Sequence, residues 1–363
     1  MSRPPRKGYR TGRSSKITEV RESVQSPTLR DVAEAAGVHA ATASRALNPA
    51  ISGQVSADTA RRVQKAAKAL GYQPNAIARS LKTAKSQTIG LVIPDLTNPL
   101  FPPIVRGIEN VLGPAGYSTL IVNTDSDPER EQALVASLRL RHVEGLIIAT
   151  ARIDHPLLHR LHDQGVRMVL LNRRTESANV PCVGPDDATG VALAVKHLAR
   201  LGHTRVAHLA GPQTTSTGVS RANAFRTAQR EHGLDDDPSL IVPCDYWSEE
   251  EGARALRQLL DADVDMTAVV AGNDLIALGC YDVFAERGIR CPHDVSVVGF
   301  NDMPLLDKLR PPLTTVAVPQ QQIGVEAARM LLESFREEDR PPRSVLLPVS
   351  LVVRGSTARP RPR

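Results

Sequence analysis

Two sets of side chains in this 363-residue sequence have the types and spacing to do chemistry. The first is His39, Ala40, Ala41, Thr42, Ser44 and Arg45, which a helix turning Ala43, Ala46 and Leu47 inward leaves on its outer side. A second helix offering small and basic side chains after a tight turn suits hydrogen bonding to DNA. The second set lies just past apolar runs: Asp95, then Asn123 and Asp125, then Asn273 and Asp274, then Asn301 and Asp302. Open α/β sheets bind ligands beyond the carboxyl ends of their strands, and such acceptors and amides match the hydroxyls of a sugar. Asp274 equally suits the cap of a helix starting at Leu275. Covalent or metal chemistry is not indicated. The sequence lacks G-x-S-x-G, G-x-x-x-x-G-K and H-E-x-x-H, and its ten histidines are scattered. Asp125-Ser-Asp127 starts like a calcium loop but lacks the later glycine and glutamate, so no cofactor or metal is expected.

The elements that must position these residues follow from pattern. Thr28 with Asp31 three places on is the sequence form of a capping box, predicting a helix from Leu29 with Val32, Ala33 and Ala36 inward. Gly37 breaks that helix. Ser56 caps a third helix over 57–70, closed by Gly71. Residues 74–82, opened by Pro74 and Asn75, form a helix-compatible segment too short to be stable alone. From Thr88 apolar runs alternate with helical patterns. Strands are expected at 89–93, 118–123, 145–149, 168–171, 206–210, 240–242, 268–271 and 295–300. Helices are expected near 103–113, 129–141, 156–164, 188–201, 221–232, 248–260, 275–287 and 320–336. This predicts parallel sheets in two α/β lobes with a ligand cleft between them.

Charge divides the chain. Residues 1–85 hold 16 Lys+Arg against 5 Asp+Glu, net +11, while the remainder holds 29 against 34, net −5. A basic front on a mildly acidic body predicts that the front meets a polyanion. No apolar run approaches the ~20 residues that span a bilayer, so no membrane partner is expected. Cys182, Cys244, Cys280 and Cys291 lack metal or redox spacing and fit a reducing cytoplasm. The expected organisation is a basic disordered arm (1–27), an all-α helix-turn-helix domain (28–73), a hinge helix and linker (74–86), an effector-binding and dimerisation core (87–356) and a disordered tail (357–363).

The stretches TLRDVAEAAGVHAATASRAL, VSADTARRV and LGYQPNAIARSLK, followed by IGLVIPDLTNP, LARLGHTRVAHLAGP, NDLIALG, DVSVVGFND, PPLTTV and LLPVSLVVR, resemble the LacI/GalR family of bacterial transcriptional regulators. That resemblance spans about residues 28–356. It implies a repressor of carbohydrate-related genes with a periplasmic-binding-protein-like core, a homodimer, a roughly palindromic operator and a sugar-like small-molecule effector; the alternatives are a regulator that responds to a purine-like corepressor or a phosphorylated partner protein, and a sugar-binding or carbohydrate-processing enzyme with an accessory DNA domain. It implies DNA contacts from Thr28, His39, Ala40, Ala41, Thr42, Ser44, Arg45 and Asn48. Within these, Arg45 would hold guanine or phosphate, and Ala40 and Ala41 would meet thymine methyls. Asn75, Ala78 and Lys82 would frame Leu81 as a minor-groove wedge. In the core it implies effector contacts from Asp95, Phe101, Asp125, Arg221, Trp247, Asn273, Asn301 and Asp302, with the two rings stacking on a sugar face. His39 stands where the family often has Ser, and Asn301 where it usually has Asp.

Overall fold

The computed structural model describes residues 27–47, 54–72, 86–337 and 341–361. The chain divides into two compact units, Met1–Thr83 and Ala84–Arg363. In the first, α1 (Leu29–Ala35), α2 (Ala40–Ala46) and α3 (Ala57–Leu70) surround a small core of Val32, Ala33, Ala36, Ala43, Ala46, Val63 and Ala67. The capping box of α1 is complete: Asp31 N–H donates to Thr28 Oγ1, and Thr28 N–H donates to the Asp31 carboxylate at 2.7 Å. Gly37 turns the chain at φ +61°, a conformation open to glycine and strained for other residues.

The second unit holds two six-stranded sheets. The first lobe begins with β1 (Thr88–Ile93), α4 (Phe101–Leu112), β2 (Ser118–Asn123), α5 (Pro128–Leu140) and β3 (Gly145–Ile148). It continues with α6 (Pro156–Asp163), β4 (Met168–Leu171) and β5 (Cys182–Pro185). The second lobe comprises α7 (Asp187–Leu201), β6 (Val206–Ala210), α8 (Ser216–Glu231), β7 (Ile241–Pro243), α9 (Glu249–Asp261), β8 (Ala268–Ala271), α10 (Asp274–Arg287), β9 (Ser296–Asn301) and β10 (Thr314–Ala317). The chain then returns through α11 (Gln320–Ser334) and β11 (Ser344–Leu347) to the first lobe and ends in the second with β12 (Ser350–Val352). Strand order is β11-β5-β4-β3-β1-β2 in one sheet and β12-β10-β9-β8-β6-β7 in the other. Every pairing is parallel except β10 with β12. The lobes are therefore joined by three short crossings, after β5, after β10 and after β11.

The eight expected strands are present within a residue of their expected ends. β5, β10, β11 and β12 were not expected. They are three or four residues long, and β5 carries Gly184 and Pro185, residues that argue against a strand until a neighbouring sheet supplies the pairing. Helix α8 begins five residues before its expected start because Thr215 caps it, its Oγ1 accepting from Gly218 N–H. Arg221 thus lies in the second turn of that helix rather than at its opening. The expectation of a loose tail from 357 is corrected: His203 Nε2 meets Ala358 O at 2.8 Å, Ala358 N–H donates to Ser296 Oγ, and Thr357 meets His197. These bonds tie the segment to the edge of the second lobe.

Candidate functional site

In the first unit, α2 presents the residues expected to read bases, with different degrees of freedom. His39, Ala41 and Arg45 are exposed, and Thr42 and Ser44 are half-buried. Ala40 packs against the unit's core, so only part of its methyl is open for contact, which corrects its placement on the outer side. His39 is the N-cap of α2: its Nδ1 accepts from Ala41 N–H at 3.3 Å, leaving Nε2 outward. Thr28 is exposed beside α1. Asn48, Asn75, Ala78, Leu81 and Lys82 lie outside the described residues, as do the basic arm up to residue 26 and most of the hinge.

In the second unit, strand ends from both lobes border a cavity of about 440 Å³. Asp95, Asp125 and Trp247 line it, with Pro212 and Thr214 from the second lobe opposite Thr150 and Arg152 from the first. A smaller cavity of about 20 Å³ shares Asn98, Arg173 and Trp247 with it and is lined by Phe101, Arg221, Asn273 and Asn301. Seven of the eight expected effector residues thus border this cleft. Asp302 does not: its carboxylate accepts from Arg354 at 2.6 Å, and that ion pair holds the residue away from either cavity. Asp274 also turns inward. It accepts from Met303 N–H and Thr315 Oγ1, and its burial pushes its carboxyl up to about 6. The cap of α10 is Asn273, whose Oδ1 accepts from Ile276 N–H, so its amide nitrogen is the group left for a ligand.

The side chains in the cleft are held by their surroundings. Arg221 is 2% exposed and donates from Nε to Asp187 and from a terminal nitrogen to Gly272 O, both at 2.7 Å. Its guanidinium lies 3.7 Å from the centre of the Phe300 ring and 5.5 Å from that of Trp247. Burial pushes the Asp187 carboxyl up, with Arg221 pulling the other way. The Trp247 ring lies against Gly211, where an added Cβ would come within 2.0 Å of the indole, so only glycine admits this approach. Asn172, Asp125, Ser126 and Asn301 all border the two cavities or their shared rim with positive φ, Asn301 at +123°. Non-glycine residues held in such conformations cluster at ligand sites.

Sequence reasoning missed a group on the first-lobe side. Glu131, 3% exposed, accepts from Thr150 Oγ1 and faces His155 Nε2 at 3.3 Å. His155 Nδ1 accepts from Arg152 N–H, which places its proton on Nε2, toward that carboxylate. Arg173 stands beside them, its pKa lowered to about 10 by burial and by the charge of Arg221. Glu131 was hidden inside an ordinary charged helix, and Arg173 inside an Arg-Arg pair that reads as solvated surface. The polar atoms left without a partner also concentrate here: Arg173 Nε, Trp247 Nε1 and Thr124 Oγ1 are buried, unbonded among the described residues, and line the cleft. The two nitrogens are obligatory donors, so an occupant must bring acceptors to them.

A small helical unit with a turn-flanked, partly basic second helix, joined to a two-lobed α/β unit with a polar cleft, is the architecture of a ligand-responsive DNA-binding regulator. The family profile described as "Bacterial regulatory proteins, lacI family" matches residues 28–75, and that of a periplasmic binding protein-like domain matches residues 195–357. The chain is 33% identical over 330 residues to the ribose operon repressor of Halalkalibacterium halodurans, covering 91% of this chain and 97% of that one. Among solved structures, the lac repressor dimer bound to operator and the anti-inducer ONPF aligns over 92% of this chain and 99% of that chain, at 29% identity and a TM-score of 0.81. A complex of the transcriptional regulator CelR with cellobiose aligns over 91% and 99%, at 32% identity and a TM-score of 0.70. The chain belongs to the LacI family of bacterial transcriptional regulators and is a DNA-binding regulator of transcription.

Proposed function

We propose that this chain is a cytoplasmic repressor of carbohydrate-related genes. It binds a palindromic operator as a homodimer, releases or tightens on it when a sugar-like ligand occupies the cleft, and works by binding rather than by turnover. Arg45, Thr42, Ser44, Ala41 and His39 read the major groove, with Thr28 positioning α1 on phosphate; Leu81, framed by Asn75, Ala78 and Lys82, enters the minor groove. In the core, Asp95, Asp125, Asn273 and Asn301 bond ligand hydroxyls, and Trp247 stacks on the sugar face with Phe101 beneath. The observation that carries this reading is the convergence of unpartnered donors on a cleft between lobes that only three short crossings connect. A ligand bridging the lobes selects one angle between them, and the segment at 74–86, too short to fold alone, transmits that choice to the DNA.

The operator is found by sequencing genomic fragments that the protein retains. Affinity for it, measured with and without sugars that occupy the cleft, is expected to change 5- to 150-fold, the range of a ~1–3 kcal/mol coupling. Trp247→Ala should weaken that response at least tenfold and leave ligand-free operator affinity within twofold. Operator affinity indifferent to every sugar that binds would overturn the reading. Arg221→Ala is a poor substitute, because it strands the buried Asp187 carboxylate and costs about 3–5 kcal/mol of stability.

A further inference from the structure

The two ends of the cleft differ in charge. Asp95, Asp125, Glu131 and Asp245 border the wider cavity, whereas no carboxylate borders the smaller one. There, Arg221 stands among the amides of Asn98, Asn172, Asn273 and Asn301, and Arg173 stands where the two cavities meet. The Arg221 charge is matched by Asp187 at 2.7 Å. Arg173 has no such match: among the described residues its guanidinium makes no hydrogen bond and no ion pair, and its Nε is buried. Glu131, the carboxylate whose field reaches it, forms no ion pair with it and accepts from Thr150. Arg173 is half-exposed, but its buried Nε is a donor with no acceptor, and a ligand that brings an acceptor carrying negative charge satisfies it. The carboxylates at the wide end are partly committed too. Asp125 pairs with Arg130, and Asp95 accepts from Thr97 N–H and Oγ1.

We propose, building on the cleft reading above, that Arg173 is an anion seat and that the ligand is a sugar bearing a negatively charged group, a carboxylate or a phosphate. The charged group takes the Arg173 fork where the two cavities meet, and the hydroxyls remain with the carboxylates at the wide end. Asn301 belongs to the same selectivity. An aspartate there would put a second charge against the anion, and the amide instead offers it a donor.

Trp247 is the chain's single tryptophan and lines both cavities, so its fluorescence reports occupancy. Full-length protein is titrated with glucose and galactose, with glucuronate and galacturonate, and with glucose 6-phosphate and galactose 6-phosphate. Potassium acetate and inorganic phosphate serve as controls for a charge without a sugar. At least one charged sugar is expected to bind 30-fold or more tightly than its neutral parent; the carboxylate and phosphate series tell the two sources apart. Arg173→Gln should cut that preference at least tenfold, Arg173→Lys should keep part of it, and Asn301→Asp should weaken charged sugars more than their neutral parents. Neutral sugars that bind as tightly as their charged forms, or a preference unmoved in Arg173→Gln, would overturn the anion seat and leave the sugar cleft standing. Fluorescence unmoved by all six sugars would overturn both.

Discussion

Burial pushes the His208 imidazole down to about 4, with the charges of Arg226 and Arg221 acting in the same direction against a bond to Val270 O. The ring is fully buried, stacks on Phe225 at 4.6 Å between centres and donates from Nδ1, so it is neutral in the fold and Nε2 stands unbonded among the described residues. An unfolded chain takes up this proton near pH 6.5 and the folded one only near 4. Stability is therefore full above about 6.5 and falls as pH drops from there toward 4. Between pH 7.5 and 5 this one group should cost about 2 kcal/mol. Urea unfolding of wild type and His208→Gln, which keeps a donor for Val270, should show that extra acid loss in wild type alone; parallel losses would mean that other groups set the acid limb. Such interior roles are hard to read in a sequence. His208 sits in an apolar run that predicts its strand, yet nothing in the run says that one ring nitrogen goes unmet. Asn301 and Asp95 were legible because they stand at the ends of apolar runs, and Trp247 because it is the single tryptophan, a few residues past one. Arg173 was not, because its importance comes from the acceptor missing around its Nε, and neither was Glu131, whose neighbours Thr150 and His155 come from another part of the chain.

At the scale of elements, the first unit stands on a thin core. Its fully buried side chains are alanines and valines, so local devices carry a large share of its stability. The Thr28–Asp31 box is one such device. Its hydrogen bonds, the Thr28 backbone bond foremost, hold the Asp31 carboxyl below its ordinary range. Thr28→Ala should remove about 1 kcal/mol from this unit, the usual worth of an N-cap. Amide exchange in α1 should accelerate about fivefold, operator affinity should fall, and exchange in β1, β6 and β8 of the core should stay unchanged. Unchanged exchange in α1 would show that the box is ornamental. The box was legible because a capping box is a statement about four consecutive residues. The short strands β5, β10, β11 and β12 were not, since each exists through pairing with a partner far along the chain: Val183 with Leu171 on one side and Val345 on the other. The same holds for the end of the chain, where Ser356 Oγ donates to Val297 O and the backbone continues along β9.

At the scale of the whole molecule, charge decides how the two units meet DNA. Residues 1–85 carry +11 and the rest −5, so the front attracts the duplex and the body repels it. Each phosphate neutralised releases counterions and adds about 0.9 to the slope of log affinity against log salt. In the body, many exposed arginines are already paired, Arg257 with Glu286, Arg287 with Asp261 and Arg290 with Asp294, and should contribute nothing to that slope. If the arm touches phosphate, replacing Arg3, Arg6, Lys7 and Arg10 by glutamine should lower the slope by about 3 to 4. Replacing Arg257, Arg287 and Arg290 by glutamine should leave it where it was. Affinity for operator measured between 50 and 300 mM potassium chloride distinguishes these. An unaltered slope in the arm variant would make these four cations bystanders and leave the polyanion contact to the remaining cations of the first unit, Arg30, Arg45 and those of α3 among them, whereas a shallower slope in the body variant would mean that the acidic unit approaches the duplex after all.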